Sequence, residues 1–211
     1  MEINKSIIEA LTWRRAIRTF DPIKKISDEN LKTILESANL SASSYGLEAW
    51  KFIVVTNQDL RMKIRAAGYD QIKITDASHL VVITRRTDTE NLSTELISRS
   101  AHLEHKTEEE LAGFKHMIDG ALAHKEAGAV RDNWVASQTY IALGTMMETA
   151  SLLAIDSAPM EGFDTTQVNE ILRLTEKNLS VVTMLSLGYR AANETLIPKV
   201  RRTYDDVVEF I

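Results

Sequence analysis

Apolar residues recur along this chain in two patterns, one typical of amphipathic helices and one typical of buried strands. Intervals of three and four residues predict helices over about 3–13 and 28–39. Continuous apolar runs predict strands buried on both faces, and these runs lie at 51–56, 79–84 and 180–186. Helices and strands are therefore expected to follow one another along the chain.

The stretch between the second and third predicted strands is helical in character. No strand pattern occurs over about 88–153, and its last part, from Trp134 to Leu153, is apolar nearly all round. Such a helix is expected to be buried, and a partner subunit is expected to cover part of it because a chain of 211 residues has few fully interior sites. The tail from Pro198 to Ile211 has an apolar end with no local partner. The helix indicates a homodimer, and the tail is left without an explanation at this point.

These elements predict an α/β or α+β sandwich, in which three or four short strands accompany five to seven helices. A further helix is expected after Asp164, a residue type that caps helices. The glycines and prolines are scattered, and no Ser/Gly-rich or Pro-rich run marks a linker. We therefore expect a single domain over 1–211, with a helical excursion at about 88–130.

The composition narrows the chemistry by exclusion. The chain carries 25 Lys and Arg against 30 Asp and Glu, a formal net charge of −5, which argues against a surface that wraps nucleic acid or binds membranes. It has no cysteine, which excludes a disulfide framework, a thiolate metal site and a cysteine nucleophile. The sequence has no membrane-length apolar run and no signal-peptide pattern at its first residues, so a cytoplasmic location is expected.

Two basic clusters stand out in this acidic chain. Arg14, Arg15 and Arg18 lie where the first predicted helix ends, and the segment Lys199–Arg202 lies near the other end of the chain. Every glycine is isolated, so no glycine-rich phosphate loop can be written, and a bound phosphate would depend on such side chains. The alternative for the first cluster is a solvated cap on a helix C-terminus. Spacing alone does not show that the two clusters meet.

Five segments resemble, in the same order, the motifs of the FMN-dependent nitroreductase family. They are RRAIRTF at 14–20, SASSYGLEAW at 41–50, DASH at 76–79, PMEGFD at 159–164 and LIPKVR at 196–201. One such motif is weak, but together they cover nearly the whole chain. The resemblance is strongest to the branch of small bacterial NAD(P)H-dependent nitroreductases and dihydropteridine-reductase-like proteins.

The resemblance implies a nitroreductase-like fold: a single FMN-binding domain with a central four- to five-stranded sheet wrapped by helices. It implies a homodimer whose C-terminal tail is exchanged onto the partner subunit. It also implies that NADH or NADPH donates hydride through FMN to a nitroaromatic, quinone or enone-type acceptor, in a ping-pong reaction. Neither nucleic acid nor a membrane is an expected partner.

By position, the resemblance assigns to the cofactor Arg14, Arg15, Ala16, Arg18, Ser43, Ser44, Gln71, Lys73, Pro159, Met160, Glu161, Gly162, Lys199 and Arg201. Arg14, Arg15 and Ala16 would contact the phosphate and ribityl end of FMN, although Ala16 stands where the family has serine. Lys199 and Arg201 would complete the phosphate site.

At the ring of the cofactor, the resemblance implies two kinds of contact. Arg18 and Lys73 would be cations beside the pyrimidine edge, where they would stabilise the negative charge of the reduced flavin. The backbone of Glu161 and Gly162 would approach the reactive N5. No side chain is expected to be catalytic in its own right, because the cofactor carries the chemistry.

The remaining assigned positions depart from the family pattern or serve the substrate. Ser43 and Ser44 would reach the cofactor of the other chain, although 46–49 differ from the family motif, with Gly46 where asparagine is frequent. Asp70 also falls near a frequent asparagine, and Gln71 is expected to take its flavin contact. Specificity is expected to depend on the excursion, with Phe114 and Met117 as candidate substrate contacts.

Two other functions remain open at this point. His102, His105, His116 and His124 could in principle serve a metal site, although they lie in a charge-rich segment typical of solvated surface, and no metal is expected. A dimeric flavin-binding or sensor protein without efficient turnover is the second alternative, because 46–49 are altered. His79, just before a predicted strand, is expected to anchor the sheet rather than to act as a base.

Overall fold

The computed structural model describes residues 3–125 and 128–211, in which helices surround one antiparallel sheet. The strands are β1 (Trp50–Val55), β2 (His79–Arg86), β3 (Asp156–Met160) and β4 (Leu179–Gly188), in the order β1-β2-β4-β3. The helices are α1 (Ile3–Trp13), α2 (Asp28–Asn39), α3 (Gln58–Ala67), α4 (Lys73–Asp76), α5 (Leu92–Glu104), α6 (Ala112–His124), α7 (Ala129–Leu152) and α8 (Thr165–Leu172). This architecture confirms the predicted α+β class.

The three strands predicted from apolar runs are present, and two of them lie at the centre of the sheet. Val81, Val82 and Ile83 of β2 are fully buried between β1 and β4, as expected for a strand covered on both faces. The apolar pattern does not predict β3, because this strand is short, begins with polar residues and contains Pro159. Proline is tolerated there because β3 is an edge strand, with β4 as its one neighbouring strand in the described sheet.

Helices pack against both faces of the sheet. On one face, Ile64 of α3 and Val168 of α8 pack in a buried cluster with Met184 of β4. On the other face, Ile34 of α2 and Met146 of α7 pack in a second cluster with the sheet. Each such buried side chain contributes about 1.5–3 kcal/mol through the hydrophobic effect, so these two clusters hold the helices in place around the sheet.

The long apolar helix predicted at 134–153 is α7, which begins somewhat earlier, at Ala129. Its inner side buries Val135, Ala142 and Met146 completely. Its outer side leaves Tyr140 and Ile141 41% and 46% exposed. Within a single chain, this helix is therefore apolar on a side that the chain itself does not cover.

Both ends of the chain meet at the edge strand β3. We call 14–21 the strap, 189–194 the tail root and 195–211 the tail. The strap lies beside β3 through a parallel bridge between Ala16 and Ser157, and it pairs antiparallel with the tail root through Phe20 and Arg190. The tail itself contains no helix or strand. No helix among the described residues is long and apolar enough to cross a membrane.

Candidate functional site

The strap and the tail bring the two basic clusters together. Partial burial, followed by the charges of Arg14, Arg15 and Arg201, lowers the pKa of Lys199. Burial and the charges of Arg201 and Arg15 lower the pKa of Arg14 in the same way. These four residues, which we call the cation cluster, are therefore close enough to repel one another, and a bound anion would relieve that repulsion.

Arg15 has two roles in this geometry. Its Nη1 donates to the backbone oxygens of Thr12, Trp13 and Arg14, so it caps the C-terminal end of α1, as the alternative interpretation expects. Its Nε is buried and has no hydrogen-bond partner among the described residues. A buried donor without an acceptor costs about 1–3 kcal/mol, so the cap leaves one strong donor for an anion.

A small cavity of about 110 Å³ lies beside Arg15. Its polar lining comes from Arg15, Arg18 and Glu194, and its apolar lining includes Ala16. A second cavity, of about 290 Å³, is lined by Arg18, Gln71, Ile72 and Lys73. Arg18 lines both cavities, so the two cavities lie on either side of, or around, one side chain.

Lys73 begins α4 and faces this second cavity. Burial, and then the charge of Arg18, lowers its pKa, so these two predicted cations are neighbours. Gln71 Nε2 donates to the carbonyl oxygen of Gly162 at 2.7 Å and to that of Gly68 at 3.0 Å. Gln71 therefore joins this cavity to the loop that follows β3.

The predicted segment 159–162 is divided between the core and the surface. Met160 is buried in the sheet, and its carbonyl oxygen accepts a hydrogen bond from the Thr183 hydroxyl at 2.9 Å. Pro159 is partly exposed, whereas Glu161 and Gly162 are exposed beyond the end of β3. The Glu161 carboxylate accepts a hydrogen bond from the Tyr140 hydroxyl at 2.8 Å. Burial and this bond raise the pKa of Tyr140 to about 12.

Ser43 and Ser44 lie elsewhere, in the loop before β1. The Ser43 hydroxyl accepts from the Glu48 N–H at 3.0 Å, and the Ser44 N–H donates to the Gln138 side chain at 2.9 Å. No contact between the described residues joins either serine to the cation cluster. Gly46 has φ +72°, a backbone conformation that glycine and asparagine adopt most readily. Glycine can therefore take this turn where the family motif has asparagine.

Asp70 and Gln71 are separated by their hydrogen bonds. The Asp70 carboxylate accepts from Arg65 Nε at 2.7 Å, so it is held by α3. Gln71 is the residue of the two that lines the cavity with Arg18 and Lys73. That Gln71, rather than Asp70, contacts a cofactor stays a prediction.

The predicted substrate residues lie on the surface of α6. Phe114 and Met117 are 38% and 52% exposed. Among the residues that the structure describes, no histidine of this region lies in a group of His, Asp and Glu side chains that could hold a metal ion. His79 is hydrogen-bonded to Ser78 at 3.0 Å, and burial and the charges of Arg61 and Lys25 lower its pKa.

Three residues of this site have no signal in the sequence. The Arg190 side chain donates to the Asp156 carboxylate, and its guanidinium lies 4.4 Å from the centre of the Trp13 ring. Glu194 accepts hydrogen bonds from the strap. Asp156 lies far along the chain from Arg190, and Glu194 lies far from the strap, so only the folded chain shows these contacts.

The comparison with known proteins identifies the family. The model of the nitroreductase family matches residues 11–189. The chain belongs to the nitroreductase family. A Staphylococcus epidermidis relative that is provisionally named an NAD(P)H nitroreductase is 40% identical, and the match covers 100% of this chain and 99% of the relative.

Solved structures show the same nitroreductase fold. A provisional nitroreductase of Exiguobacterium sibiricum, in complex with FMN, has a TM-score of 0.82 and 21% identity, covering 98% of this chain and 96% of that one. An enone reductase of gut-bacterial fatty acid saturation, CLA-ER, has a TM-score of 0.83 and 18% identity, covering 99% of each chain. The family and the fold expected from the five motifs are confirmed.

Proposed function

We propose that this chain is an FMN-dependent NAD(P)H oxidoreductase of the nitroreductase type. The cation cluster carries the proposal, because it gathers four positive side chains from both ends of the chain, and one of them, Arg15, lines a small cavity. The name of the Staphylococcus epidermidis relative supports NAD(P)H as donor, and the FMN bound in the Exiguobacterium sibiricum neighbour supports the cofactor.

The residues present fit the phosphate of FMN. A phosphate carries two negative charges and several acceptor oxygens, which match guanidinium donors in particular. The buried Nε of Arg15 would gain the acceptor that it lacks, and the lowered pKa values of Arg14 and Lys199 would return toward their usual range. Arg14, Arg15, Lys199 and Arg201 are therefore the residues that would hold the phosphate.

The second cavity fits the ring. When bound, FMN supplies the two-electron chemistry, accepting hydride at N5 and passing electrons to an acceptor. Arg18 and Lys73, which line this cavity together, would place positive charge beside the ring and would stabilise its reduced, negatively charged form. Gln71 holds the loop of Glu161 and Gly162 through the Gly162 carbonyl, so the backbone of that loop is oriented before any cofactor binds.

The proposed order of binding is ping-pong, with NAD(P)H and then the acceptor occupying the same open face. Acceptors would be nitroaromatics, quinones or enones, and the enone reductase among the structural neighbours makes the enone class relevant. Phe114 and Met117 expose apolar surface on α6 and would contact such planar acceptors.

A cytoplasmic location is part of the proposal, because a chain without cysteine has no disulfides to stabilise it outside a cell.

We propose a homodimer for this function. Ser43 and Ser44 make no described contact with the cation cluster of their own chain, so they would have to serve the cofactor of a partner. The tail exposes large apolar side chains, among them Val200, Tyr204 and Phe210, and exchange of the tail onto a partner would bury this surface.

A stopped-flow experiment tests the proposal. Purified protein is loaded with FMN and mixed with NADH or NADPH, and bleaching of the flavin band is followed by reoxidation with menadione, nitrofurazone or an enone. Bleaching by at least one donor and reoxidation by at least one acceptor are expected. A protein that binds no FMN contradicts the proposal. FMN binding without bleaching favours the sensor alternative.

A further inference from the structure

The Glu194 carboxylate joins the tail root to the strap. One of its oxygens accepts a hydrogen bond from the Arg18 N–H at 3.0 Å, and the other accepts from the Thr19 N–H at 2.9 Å and from the Thr19 hydroxyl. Partial burial acts to raise the pKa of Glu194, but the hydrogen bonds from Thr19 and Arg18 together outweigh it and lower the pKa, so the carboxylate stays charged near neutral pH. The side chain also lines the cavity that Arg15 and Arg18 line.

These contacts complete a set of ties between the two ends of the chain. The Asp21 N–H donates to the Tyr189 carbonyl at 2.8 Å, and the Ala191 N–H donates to the Thr19 carbonyl at 3.0 Å. Glu194 follows as a further tie, and Lys199 is five positions beyond it. Glu194 is therefore the last of these contacts between the tail root and the strap before the tail begins.

A carboxylate is a surprising neighbour for an anion site. By charge alone, its negative field would weaken the binding of a phosphate at the cation cluster. The structure nevertheless directs this carboxylate at the backbone of Arg18, inside the lining of the cavity. The hydrogen bonds of this carboxylate and its charge therefore act on an anion site in opposite directions.

We propose that Glu194 is a positioning residue, which holds the tail root on the strap so that Lys199 and Arg201 face the same phosphate as Arg14 and Arg15. The inference deepens the proposed function, because the phosphate is that of FMN. For the anion affinity of a variant without this carboxylate, the positioning role and the effect of charge alone predict changes of opposite sign. Loss of the carboxylate is expected to weaken anion binding, whereas removal of a negative charge by itself would strengthen it.

The test compares three variants of the full chain, prepared without flavin. E194A removes both the charge and the acceptors, and E194Q removes the charge but keeps one acceptor oxygen. D205A removes one exposed carboxylate from the tail and is the charge-matched control. FMN affinity is measured by quenching of flavin fluorescence, and the affinity for inorganic phosphate is measured by calorimetry.

E194A is expected to bind FMN about tenfold more weakly than the wild type, the size expected for losing hydrogen bonds to a charged group. D205A is expected to bind within about twofold of the wild type, and E194Q is expected to lie between wild type and E194A. Equal or tighter binding by E194A, or equal affinities of E194Q and E194A, would overturn the positioning role.

Hydrogen exchange separates this inference from the proposed function. The amides of Arg18 and Thr19 are expected to exchange faster in E194A and E194Q than in the wild type, and unchanged rates in both variants would refute the tie. If the wild type binds phosphate but not FMN, the proposed function fails, and the phosphate affinities still decide the role of Glu194. A thermal melt of each variant identifies global unfolding, and E194Q decides the outcome if E194A does not fold.

Discussion

At the scale of single residues, the site is built from side chains that do structural and binding work together. Arg15 shows this most clearly, because its Nη1 caps α1 while its Nε is left buried without a partner. The helix-cap interpretation and the anion interpretation of the first basic cluster are therefore compatible. One guanidinium has enough donors for both.

Arg14→Ala is expected to weaken FMN binding by about tenfold to a hundredfold, because a hydrogen bond to a charged group contributes about 1.5–3 kcal/mol. The measurement is a fluorescence titration with the apoprotein, together with the flavin content after purification. Arg202→Ala is the matched control, since Arg202 neighbours Arg201 and is exposed. Equal losses in both variants would mean that only the total charge matters.

Gly188, at the end of β4, lies so close to its neighbours that there is little room for a side chain. A Cβ at this position would lie 2.8 Å from Cδ1 of Phe20 and 3.0 Å from the Ser78 nitrogen. Gly188→Ala is therefore expected to lower the free energy of unfolding by about 1–3 kcal/mol, as overpacking does.

Gly120→Ala is the control for this change, because nothing lies within 4 Å of the added Cβ in α6. In a helix interior this change is expected to stabilise by about 0.5–1 kcal/mol. Urea denaturation of both variants measures the two effects. A Gly188→Ala protein as stable as the wild type would show that Phe20 moves aside without cost.

At the scale of elements, the apolar pattern predicted some helices and strands and missed others, such as α3, although Ile64 of α3 is fully buried. It predicted β1, β2 and β4 together with α1 and α2. It did not predict β3, whose residues look like a loop and become a strand only because β4 offers an edge to pair with. Ion pairs also join neighbouring elements. Arg86, at the end of β2, donates hydrogen bonds to Asp88 in the following loop and to Glu95 of α5.

This ion-pair group predicts the pH dependence of stability. The Arg86 hydrogen bonds lower the pKa of Asp88 and of Glu95 below their usual range. Carboxyl groups with lowered pKa values stabilise the fold above their unfolded-state pKa, and this contribution is lost as the pH falls through the lowered values.

Arg86→Gln is therefore expected to have a lower Tm than the wild type near neutral pH. The difference in Tm should shrink as the carboxyl groups of both proteins become protonated in acid. Thermal melts across a series of buffers from neutral to acidic pH measure it. A difference in Tm that does not change with pH would assign the effect to packing of the Arg86 side chain.

At the scale of the whole molecule, the unusual feature is apolar surface that one chain leaves exposed. Ile141 on α7 and Phe210 and Ile211 in the tail belong to this surface. A homodimer with exchanged tails remains our prediction. It would also bring Ser43 and Ser44 to a cofactor site that they do not reach within one chain.

Deletion of 202–211 is expected to shift the protein from dimer to monomer and to lower FMN affinity, although Lys199 and Arg201 are retained. Light scattering after size-exclusion chromatography measures the mass against the 23.7 kDa of one chain. The flavin titration is repeated on the same samples. A truncated monomer that binds FMN as tightly as the wild type would contradict the proposal that the site needs both chains.

The sequence by itself indicated a mixed helix-and-strand fold, several of its elements and, through its motifs, the family, because periodicity and short motifs are local properties of the chain. Only the tertiary structure decided that residues near 14 and near 199 form one cation cluster. It also decided that Asp70 pairs with Arg65, so that Gln71 lines the cavity, and that Glu194 ties the tail root to the strap. The physical reason is that these contacts join groups whose separation depends on how β3, the strap and the tail root pair, and no local pattern encodes that pairing.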